Sequence, residues 1–236
     1  MWQELRSELH PQGLEVVTVA LDAGGVEAAG PFIDRAAPDH PALIDETHLL
    51  GRLLGIVNVP SGVWVDENGV IVRPPETAFP GKVSLPDVPP EPSPQLGEVI
   101  EETMKIRVSP KRYLAGLRDW VENGAESPFA LDPSEVVNRS KPLPLEASLA
   151  AAHFELAQHL HRSGRVEEAV PHYSAARRLE PSNWTYKRQA WSFADPVLQV
   201  STGPYEGDWL SDIRELGPES YYAPLDMPRV DGSHPV

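Results

Sequence analysis

Within residues 1–73, short β-branched runs alternate with helical patterns, and that order permits few architectures. The opening "MWQELRSELH" puts Trp2, Leu5 and Leu9 on one helical face, and Pro11 to Gly13 stop the helix. "LEVVTVALD" is a short apolar run of the kind that forms a buried strand. A helix is expected through "VEAAGPFIDRAA", a strand at "ALID", and a further helix through "ETHLLGRLLGI". "SGVWV" and "GVIV" then flank "DEN" as a hairpin, with Asn68-Gly69 supplying the positive φ angles of a tight turn. Strands alternating with helices predict an α/β layer with a largely parallel sheet. The acidic turn lacks the alternating ligand spacing of a calcium loop, so it reads as a turn and nothing more.

Composition narrows the function classes. The formal net charge of −15, from 35 acidic and 20 basic residues, opposes binding to nucleic acid or to an anionic membrane. There is no apolar run long enough to span a bilayer, and the first ten residues lack the basic start and apolar middle of a signal peptide, which predicts a cytoplasmic location. The 236 residues contain no cysteine, which excludes disulfides, thiolate metal sites and a cysteine nucleophile.

The run "HLLGRLLGIVNVPSGVWVDENGVIV", preceded by "LEVVTVALD" and "HPALID", resembles the thioredoxin-like superfamily, and within it the redoxin branch of thiol-disulfide oxidoreductases and peroxiredoxin-like proteins. The resemblance covers residues 1–73. It implies that Val59-Pro60 is a cis-proline step whose backbone pairs with substrate peptide, making Val59 and Pro60 the candidate substrate-binding residues. A proline that only begins a strand is the plainer reading of the same position.

The departure from that family is large. The family's Cys-x-x-Cys pair lies at the start of the helix that follows a central strand, and no residues here correspond to either. Serine and methionine cannot replace the thiolate or selenolate. No catalytic residue and no cofactor are therefore expected in this chain, and whether it is an enzyme stays open. Met1 falls inside an apparent amphipathic helix, which is the pattern expected of a shortened redoxin whose catalytic thiol or selenol lies upstream. The alternative is a non-catalytic scaffold that binds a protein or peptide through its helical repeat or the cis-proline groove.

Residues 74–95 hold eight prolines without periodicity and read as a linker. Residues 96–196 read as a helical domain. "SPKRYLAGLRDWVENG" has Ser109 as cap and Gly124 as stop, with Tyr113, Leu117 and Trp120 on one packing face. Over about residues 150–183 the chain resembles one tetratricopeptide repeat, on Leu156, Ala157, Leu160, Ala169, Tyr173, Ala176 and Pro181, with His153 where the repeat usually has tryptophan. One repeat cannot bury its own apolar face, so it must pack on neighbouring elements.

His153, His159, His161 and His172 invite a metal hypothesis, but His159 and His161 point to different faces and no acidic residue or cysteine completes a set, so no metal is expected. Residues 197–236 read as an irregular tail draped over the helices, anchored by Trp209 and by Tyr221 or Tyr222. The fold class expected is thus a partial thioredoxin-like α/β sheet followed by an all-α, tetratricopeptide-like domain.

Overall fold

A computed structural model describes residues 2–81, 91–140 and 142–228. The protein is mixed α/β; among the described residues helices predominate and the strands lie within 18–77. The middle of the proline-rich stretch, residues 82–90, lies outside the described residues.

The first helix, α1 (Trp2–Leu9), buries Leu5 and Leu9, the face its apolar spacing marks. Strand β1 (Thr18–Leu21) is half the length of the apolar run around it. It pairs in parallel with β2 (Ala42–Asp45), Val19 opposite Leu43, across helix α2 (Gly25–Ala36). Helix α3 covers only Leu49–Leu54, because the Asp45 carboxylate accepts hydrogen bonds from the backbone amides of Thr47 and Leu50 and holds residues 45–48 in a turn. His48 ends that turn in the left-handed region, at φ 54°.

Strands β3 (Ser61–Val65) and β4 (Ile71–Thr77) form the expected hairpin, antiparallel and with irregular register around Trp64. In its turn only Gly69 has positive φ, 79°. Asn68 does not, which corrects the expectation of a paired Asn-Gly turn: the Asp66 side chain accepts from the amides of Asn68 and Val70 and closes the loop instead.

Two further expectations need correction. The largely parallel sheet expected does not form among the described residues: β1 and β3 belong to separate two-stranded sheets, one parallel and one antiparallel. The hairpin also runs on to Thr77, past the expected boundary at residue 73.

The helical part contains α4 (Pro94–Lys105), α5 (Pro110–Asn123), α6 (Pro133–Arg139), α7 (Leu145–Arg162), α8 (Val166–Leu179), α9 (Trp184–Ser192) and α10 (Trp209–Leu216). The Ser109 side chain makes no capping bond, contrary to the sequence reading, whereas Gly124 stops α5 as expected. The segment 197–236 is not wholly irregular, since α10 lies within it, with Asp208 capping the Ser211 amide.

Two apolar cores result. The larger joins α7, α8, α9 and α10 through Phe154, Leu160, Tyr173, Trp184, Trp191 and Ile213. Ala157, Ala169 and Ala176 are wholly buried, which lets α7 and α8 lie close together. Leu156 does not join them; it faces solvent. The smaller core sets α1 and α5 against the hairpin, with Trp64 stacked on Trp120 at 5.1 Å and its indole N–H donating to the Tyr113 hydroxyl at 3.1 Å. Helix α5 therefore packs with the strands rather than with the helical repeat.

Candidate functional site

Where α3 ends, Gly55 takes a positive φ of 72° and releases the chain into residues 56–60. This loop is the joint between the α/β and helical parts. The Val57 carbonyl accepts the backbone amides of Trp184 at 2.7 Å and Thr185 at 3.3 Å, the first turn of α9. The Asn58 carboxamide donates to the Tyr221 carbonyl at 3.0 Å and accepts from the Val59 amide at 2.9 Å. The Val59 carbonyl accepts the Tyr222 hydroxyl at 2.9 Å. The Val59-Pro60 bond is cis. Both main-chain polar groups of Val59 are thus engaged within the chain, one by Asn58 and one by Tyr222.

A cavity of about 830 Å³ opens beside this loop. Val57, Asn58 and Thr77 from the α/β part and Trp184, Lys187 and Tyr221 from the helical part are among its lining residues. The Tyr221 ring lies edge-on to Trp184 at 4.6 Å and to Trp209 at 6.3 Å, so both expected tail anchors are in place. Burial also pushes the Tyr222 hydroxyl well above the ordinary tyrosine range, so it stays protonated and can donate to Val59.

Sequence reasoning missed the buried polar groups. His48 is 4% exposed, and its Nε2 lies 2.9 Å from the Gln189 side-chain oxygen, which also accepts the Ala23 amide at 2.8 Å. Burial lowers the pKa of this imidazole and keeps it neutral, and its Nδ1 has no hydrogen-bond partner among the described residues. In the hairpin, Arg73 is 1% exposed. It donates to the carbonyls of Phe129 and Asp226, lies over Trp64 at 5.6 Å, and places Nε 2.7 Å from Glu76 Oε1. The last contact is an ion pair by distance without hydrogen-bond alignment. An isolated His in "DETHLL" or Arg in "VIVRPP" carries no periodic signal that would mark it as interior.

The four histidines separate. His153 and His172 stack across the α7–α8 pair, with Nδ1 atoms 2.8 Å apart, a neighbour relation invisible in a linear spacing of 19. His161 stacks on Phe193 at 3.6 Å, and His159 is exposed. Among the described residues, no group of three or more His, Asp or Glu side chains is placed to hold a metal ion. Likewise, no described helix is long and apolar enough to cross a membrane.

No family model, curated protein or solved structure matches the chain.

Proposed function

We propose that the α/β part is most of a thioredoxin-like, redoxin-type thiol-disulfide oxidoreductase unit, completed by a strand and a reactive thiol or selenol carried on polypeptide outside residues 1–236. The helical part, in this reading, is a tetratricopeptide-like pair extended by α9 and α10, and Val59 and Pro60 border the substrate peptide. The observation that carries the reading is the divided sheet. β1 and β3 each have one unpaired edge among the described residues, and a two-stranded parallel pair is a poor unit by itself. One strand between those edges would give a single mixed sheet in the order β2, β1, added strand, β3, β4.

The test compares residues 1–236 with a chain extended at its start by a β-strand and a Cys-x-x-Cys segment. Lacking any cysteine, residues 1–236 should reduce insulin disulfides no faster than buffer. The extended chain should turn over and melt about 5 °C or more higher. Equal melting temperatures and no turnover would defeat the proposal.

A second reading has its own support. Because both backbone groups of Val59 are already bonded, the chain also suits a non-catalytic interaction module that recruits a protein through its helical repeat. An extended chain that gains stability but never turnover would favour it.

A further inference from the structure

We propose that the outer face of α7 is a self-association surface, on which two copies of this chain pair α7 against α7, antiparallel about a two-fold axis. Helical spacing defines the surface. Leu145, Leu149, Ala152 and Leu156 follow one another at steps of four, three and four, so they form one line along the helix. All four are exposed, the three leucines by 70%, 45% and 41%. The opposite side of α7, with Ala150, Phe154 and Ala157, is already buried in the helical core. A helix that is apolar on two sides buries only one of them in this chain, and a continuous apolar line left in water marks a contact surface.

A second copy is the occupant because the face is complementary to itself. An antiparallel axis beside the small Ala152 sets Leu149 of each copy against Leu156 of the other and lets the two helices approach closely. The charges beside the line are opposite in sign at its two ends. Glu146, at the start, is exposed and has no ion pair among the described residues. Arg162, at the end, is exposed, donates to the Glu46 main-chain carbonyl at 3.1 Å, and likewise has no ion pair among them. Between them Glu155 is neutralised by Arg52 at 3.0 Å. Antiparallel pairing brings Glu146 of one copy beside His159 and Arg162 of the other and opposes the helix dipoles, whereas parallel pairing would set Glu146 against Glu146. The net charge of −15 works against self-association, but at 0.15 M salt charges more than about 8 Å apart are largely screened, and next to the line the signs balance. The face is one helix wide and about 27 Å long, so the interface falls below the roughly 1,200 Å² of a standard one, and the dimer is weak, with a Kd of about 10–100 µM.

Sedimentation equilibrium of the full chain from about 5 to about 500 µM, at 0.15 M salt, tests the surface without any thiol chemistry, so the result is separate from the redoxin reading. A monomer–dimer equilibrium is expected. Leu149→Glu, at an exposed position, should weaken it about tenfold or more. Glu146→Arg should weaken it about threefold to tenfold, and adding Arg162→Glu should recover most of the loss, because the charge pair is then reversed instead of broken. The chain has no cysteine, so single introduced cysteines report the orientation. Ala152→Cys, beside the axis, should be joined to its twin by a short bismaleimide. Leu145→Cys should not, since antiparallel pairing holds its two copies about 22 Å apart. A monomer at about 500 µM, association unchanged by a folded Leu149→Glu, or cross-linking as efficient at residue 145 as at residue 152 would overturn the proposal. If Leu149→Glu does not fold, the charge reversal and the two cysteine variants decide.

Discussion

The helical half and the β1–β2 layer come from one chain, yet they bury themselves very differently. Around α7 to α10, apolar side chains converge from four helices, and Phe154 stacks on Tyr186 at 4.2 Å. By contrast, no residue of β1, β2, α2 or α3 belongs to either described core. Every residue of β1 is only half-buried, while Val26 and Leu53 are 68% and 69% exposed. The physical difference lies in where the hydrogen bonds go. A helix satisfies its backbone within itself and needs neighbours only for its apolar stripe. A strand needs neighbours for both, and β1 has one where an interior strand has two.

The largest test of this contrast is Trp191→Ala. The side chain is 1% exposed in the helical core, and its loss should cost about 3–5 kcal/mol in denaturant unfolding. A cost below 1 kcal/mol would mean that the helical half is not the better-packed region.

Next is Arg73→Met, which leaves Glu76 buried without its cation. It should cost about 3 kcal/mol near neutral pH. Burial already raises the Glu76 pKa, with Arg73 opposing it. An acid whose folded pKa is raised holds its proton longer in the folded state, so stability falls as pH rises from 4.5 toward that folded value. Without Arg73 the fall should steepen, and a variant whose pH profile parallels the parent would refute the pairing.

His48 sits at the seam of the two regions, and its effect is smaller. Its folded pKa is depressed, so below 6.5 the unfolded chain takes up a proton that the folded chain refuses. Stability should therefore fall on acidification, by at most about 1.4 kcal/mol for each pH unit from this group. His48→Asn should flatten that part of the curve.

The smallest effect expected is that of Val19→Ala, about 1 kcal/mol or less, because β1 is half-covered. In the strand-extended chain the same substitution should cost about 2 kcal/mol. If the cost is the same in both chains, the added strand does not cover β1.

What could be read from the sequence follows the same division. "ALID" gave a strand at residues 42–45, and the α7–α8 pair with Gly164 at its turn followed from small residues at helical spacing. Both signals are local and periodic. The separation of β1 from β3 was not legible, since pairing between strands some 40 residues apart leaves no periodic mark. Nor was the shortening of α3, which turns on one carboxylate, Asp45, competing for amides the helix would have used. Of the candidate site, Val59 and Pro60 lie at the joint, but the groups bonded to their loop, Trp184, Tyr221 and Tyr222, come from more than 120 residues away and share no motif with them.

The Val57 carbonyl, which receives the first two amides of α9, turns a loop into a latch. If the loop moves, the Trp184 amide loses its acceptor, while Thr185 keeps the Asn183 side chain that caps the helix. Amide exchange at Trp184 would thus report, from inside the helical half, each opening of a loop that belongs to the other half, with Thr185 as the internal control.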